Sequence, residues 1–179
     1  PATSMSPLLY DLTSLQRDAN SRFGFSAKNT LGVAQALYEK HKVLTYPRTD
    51  SRALPEDYIG TVKTTMEMFT GHGPTHGTQF VTRYMSFADT ILKNGWVRPN
   101  KRIFNNAKVS DHFAVIPTTI APKGLSEPEQ KLYDLVTKRF LAIFYPAAEF
   151  LETTRITRVE GEPFKSAGKV LVSPGWLTV

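Results

Sequence analysis

Residues 26–55 read SAKNTLGVAQALYEKHKVLTYPRTDSRALP, and the change of character inside this stretch decides how the chain folds. Ser26 is a helix N-cap residue type, and Leu31, Ala34, Leu37 and Tyr38 then recur at steps of three, three and one, an apolar helical face. The spacing predicts a helix ending near His41 that delivers the chain into Val43, Leu44, Thr45 and Tyr46. Pro47 biases the residue before it away from helical geometry, so Tyr46 is expected in an extended or turn conformation just past the helix. Arg48, Asp50, Ser51 and Arg52 crowd the next six positions.

Outward from this stretch, PLLYDL reads as a short extended segment. Thr13 and Gln16 stand in capping-box spacing for a first helix that Gly24 stops. Downstream, Pro55 suits the first turn of a third helix, PEDYIGTVKTTMEMF, with Glu56 and Asp57 near its positive end. TGHGPTHGTQ is a loop by its glycines and proline, and a further helix is expected near FVTRYMSFADTILKNG. Ser126 and Glu129 form another capping box, opening a helix that runs through KLYDLVTKRFLAIF to Pro146. The period then changes: EFLETTRITRV and GKVLV are β-branched and apolar around EGEPF, which predicts two strands and a turn. The expected class is α+β, mainly helical, with strands at both ends.

The 179 residues, 41% hydrophobic and 21% charged, suffice for an ordinary globular core. No run approaches the roughly 18 apolar residues of a membrane span, and the first residues lack a basic region followed by an apolar run. The absence of cysteine excludes disulfides, thiolate metal sites and cysteine nucleophiles. Twenty-two basic against sixteen acidic side chains give a net charge of +6, which suits a polyanionic partner. The start at Pro1 and the ending PGWLTV, read as an interrupted strand, suggest a piece of a longer protein.

Two clusters bear on chemistry. A phenol has a pKa of about 10, so ionising Tyr46 at pH 7 costs roughly 4 kcal/mol unless positive charge or a base assists. Arg48 can supply that field and grip a phosphate with its fork. Asp50 can orient the arginine or cap the next helix. The second cluster is KVSDHFAVIPTT, residues 108–119, where His112 and Thr118 can each donate to a phosphate oxygen. Arg52 and Lys108 add cations to this phosphate-binding set. Lys101, Arg102 and Lys108, with Trp96 and Phe104 interleaved, suit either a groove for a single nucleic-acid strand or a solvated basic loop beside core aromatics. His72 and His76 are four apart, but in a glycine-proline loop rather than on a zinc-binding helix, so no metal is assigned to them. No Asp-x-Asp pair, glycine-rich phosphate loop or nucleophile-elbow serine occurs, which leaves two-metal nuclease and nucleotide-hydrolase readings without support.

Taken together, SRFGFSAKNTLGVAQALYEKHKVLTYPRTDSRALP and SDHFAVIPT resemble the tyrosine-bearing region of type IA DNA topoisomerases, closest to the bacterial topoisomerase III branch, and the likeness runs along essentially the whole chain. The resemblance implies that Tyr46 attacks a phosphodiester of single-stranded DNA to give a 5′-phosphotyrosyl link, with Arg48 positioning tyrosine and phosphate and His112 contacting phosphate. Asp50 and Thr118 match further motif positions with supporting roles. It implies a winged-helix-like tyrosine domain over residues 13–145, and strands of an incomplete β-rich gate domain over 1–12 and 146–179. It also implies a magnesium ion held by a Toprim domain absent from these residues, hence no cofactor and little activity in this piece alone. The implied setting is a bacterial cytoplasmic, nucleoid-associated monomer. At Phe113 the family often carries a polar residue, a departure that bears on packing or strand contacts. The alternatives are a single-strand DNA-binding module without catalysis and a structural or regulatory winged-helix protein that prefers duplex.

Overall fold

The computed structural model describes residues 1–71 and 83–179, and the His72 and His76 pair lies outside the described residues. Among the described residues there are five α-helices, with one three-stranded antiparallel sheet, so the α+β expectation holds. Helices α1 (Leu12–Phe23) and α2 (Ala27–Glu39) form a hairpin joined at Gly24, whose φ of 72° is the left-handed conformation favoured by glycine. The cap of α1 differs from the Thr13–Gln16 expectation. Asp11 is the N-cap and forms a capping box with Ser14, while Gln16 donates across the hairpin to the Ala27 carbonyl at 3.0 Å. The Asp11 carboxylate, two residues earlier, accepts from the Ser14 N–H at 2.9 Å and so starts the helix ahead of Thr13.

Pro55 opens a 3-10 turn (Glu56–Tyr58) that leads into α3 (Ile59–Phe69). Helix α4 (Met85–Lys93) lies within the helix expected near residues 80–95, of which 80–82 are outside the described residues. Helix α5 (Glu127–Phe144) opens on the Ser126–Glu129 capping box, as its sequence predicts. It packs against α1, α2 and α4, and from Leu132 onward most of its residues are buried on every side. Such a helix is the spine of a core rather than an amphipathic cover, and each fully buried Leu or Phe contributes about 1.5–3 kcal/mol. Arg139 of α5 ties three segments together. Its guanidinium lies 4.1 Å from the Tyr10 ring centroid and donates to Asp18 at 3.0 Å and to the Leu8 carbonyl at 2.9 Å, and the Tyr10 hydroxyl donates to the same Asp18 oxygen at 2.6 Å.

The sheet is carried by β2 (Ala148–Val159) and β3 (Glu162–Ser173), with β1 (Ala2–Ser4) paired to the start of β2. The extended segment expected at PLLYDL is thus displaced to Ala2–Ser4, with Tyr10 making an isolated bridge to Val115. The β2–β3 turn is Glu160–Gly161, both at positive φ, the two-residue geometry that matches strand twist. It is shorter than EGEPF because Pro163 is accepted within β3, an edge strand. Beyond the first residues of β2 both hairpin faces are exposed, including Ile156, Phe164 and Val170. The final residues do not form a strand. Gly175–Thr178 is a 3-10 turn in which Gly175, at φ 49°, presses so closely on residues 146 and 147 that a Cβ would overlap their carbonyl oxygens. Trp176 donates from its indole to the Ser4 carbonyl at 2.8 Å, closing the turn over β1.

Glu129 does more than cap α5: it also pairs with His41, just past the end of α2, at 2.9 Å. Partial burial pushes its carboxyl pKa up, but hydrogen bonds from Ser126 and the His41 contact outweigh this and hold it below the usual range. A depressed folded-state pKa adds stability that is complete above about pH 4.3 and lost as pH falls through the folded value. Glu129→Gln should therefore lower the melting temperature at about pH 5, and the gap to the parent protein should shrink below about pH 4. Thermal melts by circular dichroism across that range check this.

Candidate active site around Tyr46

After Glu39 the backbone leaves α2 and turns at Lys42, a non-glycine residue at φ 58°. Residues 42–46 then run alongside 114–118. Thr45 N–H donates to the Ile116 carbonyl at 3.0 Å, Thr118 N–H donates to the Val43 carbonyl at 2.9 Å, and Leu44 bridges Pro117. At the centre is the buried Thr45 hydroxyl, which donates to the Ala114 carbonyl and accepts from the Ile116 N–H, each at 2.9 Å. Farther along, Ala114 N–H donates to the Ala53 carbonyl at 3.0 Å and the Ser51 hydroxyl to the Lys108 carbonyl at 2.7 Å. The two motifs, far apart in sequence, are thereby laced into one surface.

The lacing brings Tyr46 to His112. Their ring centroids are 4.1 Å apart at an interplanar angle of 35°, and Tyr38 of α2 meets Tyr46 edge-on at 5.3 Å and 75°. The Tyr46 ring is half-buried between them, while His112 is exposed. Arg48, Asp50 and Lys108 are also exposed, and among the described residues none of these three side chains, nor that of His112, has a hydrogen-bond or ion-pair partner. Asp50 caps no helix, because Pro55 occupies the cap of the following turn. An unneutralised arginine on the tyrosine's loop and an imidazole against the phenol ring form a surface able to receive a phosphodiester.

Other residues of the expected set take structural duties. Arg52 donates through Nε to the Leu9 carbonyl at 2.9 Å and through an Nη to the Leu8 carbonyl at 3.2 Å, so it braces the 8–9 segment instead of presenting its fork to a phosphate. The only proton of the Thr118 hydroxyl goes to the Lys42 carbonyl at 2.7 Å, which holds the left-handed residue and replaces the expected phosphate donation. Of the two readings of residues 96–108, the arrangement fits basic residues beside core aromatics: Phe104 is 1% exposed in the core, Lys101 pairs with Glu56, and Arg102 donates to the Ser6 carbonyl. Thr45 went unnoticed in the sequence. Its signal was a small hydroxyl residue directly before the tyrosine, in a segment too short and irregular to reveal a partner.

Among the described residues no group of three or more His, Cys, Asp or Glu could hold a metal ion, so these residues do not fit a magnesium site. No helix among the described residues is long and apolar enough to cross a membrane.

A family model described as DNA topoisomerase matches residues 1–179. DNA topoisomerase 3 of Bacillus licheniformis is 51% identical over 178 residues, covering 98% of this chain and 23% of that protein. The enzyme of the same name from Bacillus subtilis is 49% identical over the same length. The chain therefore spans about a quarter of the length of these relatives. Among solved structures, full-length topoisomerase I from Thermotoga maritima superposes with a TM-score of 0.67 at 25% identity, covering 99% of this chain and 27% of that one.

Removing the Thr45 hydroxyl isosterically, with Thr45→Val, strands a buried N–H and a buried carbonyl and should cost about 1–3 kcal/mol. For a chain of this length that lowers the melting temperature by roughly 3–8 °C. Thr45→Ser, which keeps the hydroxyl, should lose much less. Nuclear Overhauser contacts between the Tyr46 and His112 rings should weaken in the valine variant and persist in the serine variant.

Proposed function

The chain belongs to the type IA DNA topoisomerase family, and from that premise we propose that it is the part of such an enzyme carrying the nucleophile, Tyr46. The observation that carries the reading is the stacking of His112 on Tyr46 at 4.1 Å, with Arg48 unpaired on the same loop. In the proposed reaction the Tyr46 phenolic oxygen attacks the phosphorus of a single-stranded DNA backbone. The bond from phosphorus to the 3′ oxygen breaks, the 3′ oxygen takes a proton and leaves as a hydroxyl, and the 5′ phosphate stays on the tyrosine. One ester replaces another of similar energy, so the reverse attack by the 3′-hydroxyl reseals the strand without ATP.

The residues divide the work. Arg48 binds the attacked phosphate and lowers the cost of phenolate formation through its charge. His112 donates to a phosphate oxygen. Lys108 supplies longer-range attraction that salt will screen. The Thr45 lacing keeps tyrosine and histidine in one geometry before DNA arrives, so the entropy of assembling them is already met by folding. In the proposed whole protein the tyrosine domain, residues 13–145, sits on gate strands from 1–12 and 146–179, and the magnesium ion is held by a Toprim domain outside these residues. The working partner is single-stranded DNA at the bacterial nucleoid, handled by a monomer. The 179-residue chain alone is proposed to bind a strand and to cut little.

The test uses the full-length protein with magnesium and an end-labelled single-stranded oligonucleotide. A covalent protein–DNA band should form and should be lost in Tyr46→Phe. Arg48→Ala and His112→Ala should each slow its formation by at least about tenfold, as expected for loss of a charged contact to the reacting phosphate. An adduct that persists in Tyr46→Phe would overturn the assignment.

A further inference from the structure

On the side of Tyr46 where α2 passes, a shallow depression of about 740 Å³ is lined by Tyr38, Leu44, Tyr46 and Phe113, with Glu39 and Lys42 among the lining residues. Neither Arg48 nor His112 lines it. We propose that this depression is a nucleobase subsite, which takes the base of a nucleotide flanking the phosphodiester that Tyr46 attacks. The proposal rests on the reading of Tyr46 as nucleophile and adds to it where the neighbouring base goes.

The lining chemistry selects a base over a backbone phosphate. Glu39 and Lys42 carry opposite charges, so the depression lacks the uncompensated positive field that a phosphate needs, whereas Arg48 and His112 carry that character on the adjoining surface. Three of its lining residues, Tyr38, Tyr46 and Phe113, are instead aromatic. Phe113 is half-buried, with Tyr58 at 4.8 Å supporting it, and Tyr38 is fixed by its edge contact with Tyr46. Rings braced in this way are stacking platforms, and every base offers a π-face to such a platform. Polar groups at the margin orient what stacks there: Glu39 uses one oxygen to accept from Gln35 at 2.8 Å, which leaves the other to accept from an exocyclic amine. Continuity fixes the address. Tyr46 is itself a wall of the depression, and a base next to the attacked phosphate is the first apolar group of the strand that reaches it. Phe113 thereby acquires a role beyond packing.

The experiment uses the full-length protein in the Tyr46→Phe background, so that binding is read without covalent product. Oligonucleotides are compared intact and with one abasic nucleotide, placed immediately 5′ or 3′ of the mapped cleavage position. One of the two abasic strands should bind about 5- to 100-fold more weakly than the intact strand. Phe113→Leu and Tyr38→Leu, which keep apolar bulk but lose the ring, should weaken binding of the intact strand and leave binding of that abasic strand unchanged. Equal affinity for intact and both abasic strands would overturn the subsite, as would variants that weaken intact and abasic strands alike. An adduct still formed by Tyr46→Phe would instead remove the nucleophile reading, while the abasic comparison would still decide the subsite.

Discussion

A single buried hydroxyl holds the tyrosine loop where it is. Thr45 Oγ1 satisfies a carbonyl and an N–H that lie 69 and 71 residues downstream, and it does so directly beside Tyr46. Both partners are backbone groups of an irregular segment without helix or sheet to pair them, so each would be costly to bury alone. With the threonine in place, residues 42–46 and 114–118 become two lanes of one short ladder. The Tyr46–His112 contact is a consequence of that ladder rather than of any strong attraction between the rings.

Several cations belong to the scaffold. Arg139 lies over the Tyr10 ring and reaches Asp18, Arg52 and Arg102 are bonded to carbonyls, and Lys93, Lys101, Lys131 and Lys138 all pair with carboxylates. Arg48 and Lys108 stand outside these pairings, as do other exposed lysines such as Lys28 and Lys63. On the Tyr46 face, an exposed and unpaired Arg48 on the same loop as a half-buried phenol gives a local positive field suited to a polyanion. Between that field and the ring-lined depression, the surface offers one region to a phosphate and another to a base.

How much was legible in the sequence differed by kind of interaction. The helices could be read because their signals are local: Ser26 and Ser126 cap where expected, and Ala34 and Leu37 of the α2 pattern are buried in the core. The strands after Pro146 were legible from β-branched composition, although a proline tolerated at a sheet edge shortened the turn. Local signals failed where two candidates competed within a turn, as when Asp11 took the cap expected of Thr13. They failed again where a side chain's fate depends on a distant partner. Nothing near Arg52 or Thr118 reveals that their donors meet the carbonyls of Leu8, Leu9 and Lys42.

The sequence by itself determined the α+β class, the turn that lifts Tyr46 out of the helix, and the family to which the two motifs belong. Proline geometry, capping chemistry and apolar period act within a few residues and are written in order along the chain. Only the tertiary structure decided that His112 lies against Tyr46, that Arg48 is left unpaired while Arg52 is not, and that a ring-lined depression adjoins the tyrosine. Those outcomes follow from which buried backbone groups pair across some seventy residues, and such pairing is settled by the packing of the whole core rather than by any one stretch of it.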